Sequence, residues 1–492
     1  MKRVVLPFLV VAAAFAADTD LRLPEAARAG DGSRVRSLVS QKAPVNAALP
    51  DGTTALHWMV RANDLETSDL LLRGGANPKA SDNHGVTPLY LACVNGSAAM
   101  VSRLLDAGAD PNSADPTGET VLMTSAKTGN PDVLQVLVDH GARVNDKDAR
   151  SDQTALMWAV RENHLDAVRF LLARGAEVNA RTKLVTDLPP MAGNLQGVGR
   201  AQNSPKGAPP GAMTPLLYAA RDGRLDIAHA LAASGANVNQ AEANGTTPLV
   251  IAIINNHLDV ARFLLDHGAD ANAADGFGRA PLWSAVDLRN LDLDSRTSEN
   301  GIDRAPAFDL IKALLDHGAD PNGELKAEPP SRRWMLPFGA SQWVTIAGQT
   351  PFIRAALAGD VAVMRLLLEK GADPNKPAHQ GTTALMAAAG VGWVITQTYT
   401  ESKESLLEAV KLCVEEGGDV NAVNGQGFTP MHGAANRGSD DIIQFLASKG
   451  ARADVKDGQG RTPMTYAEGV YLAGKPPERR PSTIALLKGL TK

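Results

Sequence analysis

Thr87-Pro88-Leu89-Tyr90-Leu91 is one of eleven near-copies of a five-residue phrase along this chain. The others are TALHW at Thr54, TVLMT at Thr120, TALMW at Thr154, TPLLY at Thr214, TPLVI at Thr247, APLWS at Ala280, TPFIR at Thr350, TALMA at Thr383, TPMHG at Thr429 and TPMTY at Thr462. Successive copies lie 33, 33, 34, 60, 33, 33, 70, 33, 46 and 33 residues apart. The threonine suits a helix N-cap, where its hydroxyl accepts from an otherwise orphaned backbone N–H. Proline follows at the first helical position, where its missing N–H costs little. Leucine opens a buried stripe, and paired small residues such as Ala219-Ala220 let neighbouring units approach closely.

A second helix is expected after each phrase, as in Leu165-Asp166-Ala167-Val168-Arg169-Phe170-Leu171-Leu172, with apolar residues at helical spacing. It ends on Gly108-Ala109-Asp110 or Gly268-Ala269-Asp270, where glycine suits the left-handed conformation that stops helices. An extended finger such as Asp270-Ala271-Asn272-Ala273-Ala274-Asp275-Gly276 then leads to the next copy. This phrase at a period of 33 resembles the ankyrin-repeat family from about Leu21 to the C-terminus. In style the chain also resembles the secreted or periplasmic ankyrin-repeat proteins of bacteria. The resemblance implies an all-α repeat solenoid of about twelve repeats, each a helix-turn-helix with a β-hairpin-like finger. Residues 21–50 read as a degenerate N-terminal capping repeat, with a two-helix pattern and no phrase.

Breaks in the period locate insertions. Repeats are expected over 51–182, 212–288, 348–390 and 405–492, the last run including a C-terminal cap. Finger insertions fall at 183–211 and 323–347, and inter-helix insertions at 289–305 and 391–404; residues 306–322 complete an interrupted repeat. The 323–347 segment carries Arg332, Arg333, Trp334, Phe338 and Trp343 in a chain of only 4% aromatic content. Arg and Trp concentrate where binding energy does, so these five are candidate partner contacts. The same loop could instead fold back over the widened junction between repeats.

The resemblance also implies that the two residues following the paired small ones face a concave groove. At those positions stand Arg61, Asn95, Lys127, Arg161, Arg221 and Ile254, which are candidates for partner contact. Their character changes along the chain. Cations dominate the N-terminal half, and the centre and C-terminal half turn largely apolar and small, through Leu357-Ala358 and Gly390-Val391. Such a groove suits an extended or helical ligand with an acidic end and an apolar end. Alternatively each arginine pairs with a neighbouring acid, Glu162 or Asp222, and the charges are simply solvated.

Met1-Lys2-Arg3, an apolar run from Val4 to Phe15 and small residues before Ala17 read as a signal peptide over residues 1–16. Export to the periplasm or beyond is therefore expected, with no membrane insertion after cleavage, because a dozen apolar residues cannot span a bilayer. The net charge of -5 falls to about -7 without Lys2 and Arg3, which excludes a generally basic field for nucleic acid. The two cysteines, Cys93 and Cys413, sit in apolar columns as inert thiols.

The polar motifs read as parts of the repeat and its loops. His57 and His432 stand inside the phrase, and His140, His267 and His317 precede helix-ending glycines; the repeat explains all five. The glycine-rich Gly193–Gly199 lacks a strand–turn–helix context, and Asp292, Asp294, Glu299 and Asp303 read as a solvated acidic loop. No enzyme, cofactor or metal is expected. The chain reads as a monomeric protein-binding scaffold or inhibitor, whose partner is another protein. A periplasmic accessory protein that supports an envelope enzyme, or a secreted effector aimed at a foreign cell, are alternative roles.

Overall fold

The computed structural model describes residues 20–184, 211–291, 304–329, 346–392, 402–470 and 477–491. The chain divides into two compact units, Met1–Glu177 and Val178–Lys492.

The first unit holds five helix pairs. They are α1 (Arg22–Arg28) with α2 (Gly32–Ser40), α3 (Ala55–Arg61) with α4 (Leu65–Arg73), α5 (Pro88–Val94) with α6 (Ala98–Asp106), α7 (Val121–Thr128) with α8 (Pro131–Asp139), and α9 (Ala155–Arg161) with α10 (Leu165–Ala173). Odd-numbered helices pack in succession as an inner row, and even-numbered helices form an outer row behind them.

The second unit repeats the plan with seven pairs. It begins with α11 (Pro215–Asp222), α12 (Leu225–Ala233), α13 (Pro248–Ile254), α14 (Leu258–Asp266), α15 (Pro281–Arg289) and α16 (Ala305–Asp316). It continues with α17 (Pro351–Ala358), α18 (Val361–Glu369), α19 (Ala384–Ala389), α20 (Lys403–Glu415), α21 (Pro430–Arg437), α22 (Asp440–Ser448), α23 (Pro463–Gly469) and α24 (Pro481–Leu490). Its odd helices again pack one on the next. The twelve helix pairs among the described residues are consistent with the repeat count expected from the phrase. Among the described residues the fingers carry only isolated antiparallel bridges, such as Ala48 with Thr54.

The phrase does what its chemistry requires. Thr87 accepts from the Tyr90 N–H at 3.2 Å, and Thr214 from the Leu217 N–H at 3.2 Å. His57 and His432 close a capping box. In each, Nδ1 accepts the threonine N–H at 3.1 Å, which assigns the remaining proton to Nε2. That Nε2–H donates to the finger carbonyl of the next repeat, Val86 or Arg461. The second helices end as expected, with Gly268 at φ 87° and the His267 Nδ1–H donating to the Phe263 carbonyl at 2.8 Å.

A second rung joins the fingers. Asn272 Nδ2 donates to Gly318 O at 2.8 Å, and its Oδ1 accepts from the Asp320 N–H at 2.7 Å. Asn46, Asn112, Asn145, Asn179, Asn239 and Asn322 make the same pair of bonds to their following repeats. Each rung satisfies the carbonyl that the helix-ending glycine leaves open. Lys79 occupies the equivalent place in one repeat of the first unit.

The insertions leave and re-enter the stack at closed bases. Leu184 bridges Gly211, and the Thr182 N–H donates to Met213 O at 3.0 Å. The Gly348 N–H donates to Leu325 O at 2.7 Å. Part of each inter-helix insertion is helical: Arg289 ends α15, Ala305 opens α16, and Lys403 and Glu404 begin α20.

Candidate partner-binding face

Two residues of each inner helix, four and seven places after the phrase's first residue, make parallel columns. In the first unit they read Trp58 and Arg61, Leu91 and Val94, Thr124 and Lys127, Trp158 and Arg161. Spaced three apart on one helix, the two members lie on one face. The cations lie over the rings. Arg61 Cζ is 5.7 Å from the Trp58 ring centroid, and Arg161 Cζ is 4.4 Å from that of Trp158. Lys127 reaches from the preceding repeat to put Nζ 3.8 Å from the same Trp158 centroid.

Polar partners fix these cations further. Lys127 Nζ pairs with Glu119 at 2.5 Å, and Glu119 also accepts from the Thr124 hydroxyl at 3.0 Å. Arg161 donates to Gln153 Oε1 at 3.2 Å, a partner eight residues earlier at the base of the finger. Between the cations Val94 is 48% exposed. Asn95 donates to the carbonyls of Val60 at 2.8 Å and Arg61 at 3.3 Å, so it caps the end of α3. Half-buried Tyr90 has its phenol pKa raised, first by burial and then by Glu119 and Asp115.

In the second unit Arg221 sits 4.9 Å over the Tyr218 ring and pairs with Asp222 at 2.7 Å, a contact that raises its pKa. Ile254 is half-buried at the end of α13. Further along, the columns sink into the protein. Leu357 is 7% exposed, Ala358 is sealed, and Val391 is 1% exposed. Val391 is seated on Gly433: a Cβ built there would come within 2.6 Å of the Val391 nitrogen. Arg437 passes beneath this turn and donates to Ala388 O at 3.2 Å and Leu357 O at 3.4 Å. Burial pushes its guanidinium down to about 9.

A charged cluster lies beside that closed face. Asp360, wholly buried, takes Arg289 at 2.8 Å and Arg304 at 3.2 Å. Arg304 donates to Arg289 O at 3.0 Å and to Asn290 Oδ1 at 2.7 Å, so the two ends of the 289–305 insertion clasp each other. Arg354, 4% exposed, pairs with Asp287 at 2.7 Å and donates to Asn290 O at 2.7 Å.

The second column is the one named from the sequence, and the first was not named there. Trp58, Trp158 and Tyr218 were legible as aromatic fifth residues of the phrase in an aromatic-poor chain. Arg354 was legible as the one charged residue in that column. Arg332, Arg333, Trp334, Phe338 and Trp343 lie outside the described residues.

The described residues hold no group of three or more His, Cys, Asp or Glu fit for a metal ion. Nor does any described helix have the length and apolarity to cross a membrane. Cys93 and Cys413 are free and buried, and burial raises both thiols to about 12. Such thiols are poor nucleophiles.

Stacked helical hairpins joined by asparagine-rung fingers define a repeat scaffold rather than a domain built around one core. The chain belongs to the ankyrin-repeat family. The family model for ankyrin repeats (three copies) matches residues 23–115, 101–182, 195–293 and 400–470, and that for the single ankyrin repeat matches 347–379. Among curated relatives it is similar to the probable 26S proteasome regulatory subunit p28 of Saccharomyces cerevisiae, 31% identical over 25% of this chain and 49% of the relative. It is also similar to ankyrin repeat and SOCS box protein 18 of Homo sapiens (29% identical, 33% and 41% covered). A third is alpha-latrocrustotoxin-Lt1a of Latrodectus tredecimguttatus (27%, 34% and 9%). The chain spans less than half the length of each of these relatives. Similar solved structures include the human ASB11 ankyrin repeat domain, with TM-score 0.41, 25% identity, and coverage of 50% of this chain and 98% of that one. The Bcl-3 ankyrin repeat domain gives TM-score 0.39, 26% identity, and coverage of 47% and 93%.

Proposed function

We propose that this chain is a non-enzymatic scaffold or inhibitor that holds a protein partner on its inner-helix face, with the finger insertions as further contacts. One observation carries the reading. In the first unit the two columns present exposed Arg61, Val94 and Asn95 beside half-buried Trp58, Lys127, Trp158 and Arg161. Aromatic rings with stacked cations are the composition of interface hot spots. The basic and apolar N-terminal segment supports export to the periplasm or medium, and Ala17 is then the mature N-terminus. The protein acts as a monomer.

A photo-crosslinking amino acid at position 94, used in the native compartment, tests the scaffold reading. One protein should be captured there, and capture should fail when Arg61, Lys127, Arg161 and Arg221 are all changed to Ala. An envelope enzyme as the captured species would specify an accessory role, and a foreign-cell protein an effector role. Capture that survives the fourfold change would place binding elsewhere. Turnover by the protein purified free of others would end the non-enzymatic reading. N-terminal sequencing of the recovered protein checks the cleavage point.

A further inference from the structure

The four inner helices of the first unit present their columns in a particular order: cation on ring at α3, aliphatic at α5, cation at α7, cation on ring at α9. Adjacent packed helices lie about 10 Å apart, and an extended chain advances about 3.3 Å per residue. One repeat step therefore corresponds to about three residues of an extended ligand. Resting on the scaffold reading above, we propose that the first unit reads an extended acidic segment of a partner protein in the pattern acid, aliphatic, acid, acid at intervals of about three residues.

The recognition follows from how the cations are held. Trp158 bears two of them, Lys127 and Arg161, contributed by successive repeats. A cation already lying on a ring gives up little side-chain freedom when a carboxylate arrives. Lysine has three donors, so Glu119 orients Lys127 without exhausting it, and Gln153 holds the Arg161 guanidinium against its ring. Arg61, two repeats before Lys127, receives the distant acid, and exposed Val94 over half-buried Leu91 takes the aliphatic side chain between. Nucleic acid fits poorly. Its phosphates demand contiguous cations, whereas Val94 and Asn95 interrupt this row and Glu119 and Glu162 flank it.

Two fluorescent peptides of about ten residues test the pattern in both chain directions. One carries glutamate at its first, seventh and tenth places and isoleucine at its fourth, with serine elsewhere; the other has that order reversed. One peptide should bind better than the other, and its glutamine analogue should bind at least about tenfold more weakly. Lys127→Glu with Arg161→Glu should abolish binding of the glutamate peptide and create binding of a lysine-substituted one. Lys127→Gln with Arg161→Gln, checked for native circular dichroism, should weaken binding without the reversal. The inference is overturned if neither glutamate peptide binds, if binding survives the charge reversal, or if light scattering shows a second copy of the chain on this face. A partner crosslinked at position 94 through a segment without acidic residues would also end it, while leaving the scaffold reading intact.

Discussion

At α3 to α9 the inner columns read Trp58 and Arg61, Leu91 and Val94, Thr124 and Lys127, Trp158 and Arg161, and their outer ends meet solvent. At α17 to α21 the same columns read Arg354 and Leu357, Ala387 and Gly390, Gly433 and Asn436. There the turn at Val391 lies on Gly433, and Arg437 runs beneath it to carbonyls of two preceding helices. Bulky rings keep the first face raised and its cations outward. Small residues let the second face accept its own chain. The backbone plan is shared, so side-chain volume at two positions per repeat decides whether a face stays open or is filled by the chain itself.

The difference extends to coupling. Solenoid repeats ordinarily contact only their neighbours. Arg437 reaches 80 residues back to Leu357, beyond the adjacent repeat, and Arg289 ties its repeat to the adjacent one through buried Asp360. Charge in the closed region is therefore structural, whereas charge on the open face is peripheral to stability.

The largest test of that contrast is Asp360→Asn. It removes the carboxylate shared by Arg289 and Arg304 in a dry site, and breaking such a group costs about 3–5 kcal/mol. Denaturant unfolding followed by hydrogen exchange in α15 to α18 should register it. Arg61→Ala should stay within about 0.5 kcal/mol of the parent. Equal losses for both would erase the distinction.

Next in size is Gly433→Val. Its Cβ would sit 2.6 Å from the Val391 nitrogen, so the turn must lift, at an overpacking cost of about 1–3 kcal/mol. Protease sensitivity near residue 391 should rise together with exchange of the Val391 amide. An unchanged turn would mean that glycine is not what admits it.

Lys79→Asn sharpens the comparison from the other side. It would supply the first unit with the rung that Lys79 lacks, donating to Gly108 O as Asn112 does to Gly141 O. One added pair of hydrogen bonds is worth about 1 kcal/mol. The unfolding midpoint of the first unit should rise without change on its open face.

Much of this is legible in the sequence, for a physical reason. Thr87, His57, Gly268 and the finger asparagines act on residues a few places away or exactly one repeat on, so the period itself displays them. The bond from Arg161 to Gln153 spans eight residues, from the base of the finger to the end of the inner helix, and no adjacent acid in the sequence signals it. Arg304 with Asp360, and Arg437 with Leu357, join segments on either side of insertions of irregular length. Nothing periodic marks such contacts. The aromatic column could have been read from Trp58, Trp158, Tyr218 and Tyr466, since four rings at one register of the phrase are a pattern in so aromatic-poor a chain.

The smallest expected effect concerns a device that both regions share. His57 in the first unit and His432 in the second are held in capping boxes, and burial lowers the pKa of each despite favourable backbone contacts. In both, Nδ1 must stay unprotonated to accept the threonine N–H. A depressed folded pKa means that the unfolded chain binds the proton more readily. The stability each histidine contributes is therefore complete above the ordinary imidazole value of about 6.5 and is lost as pH falls from there through the folded value. His57→Gln keeps an acceptor at the third helical position without a titrating group. In melts between about pH 7.5 and 5, that variant should show a shallower acid loss in the first unit, and His432→Gln the same in the second. Similar shifts in both would show that the threonine–histidine cap is indifferent to whether the face above it is open or filled. A shift in only one would tie the cap to its neighbours on that face and make the contrast between the regions deeper than side-chain volume.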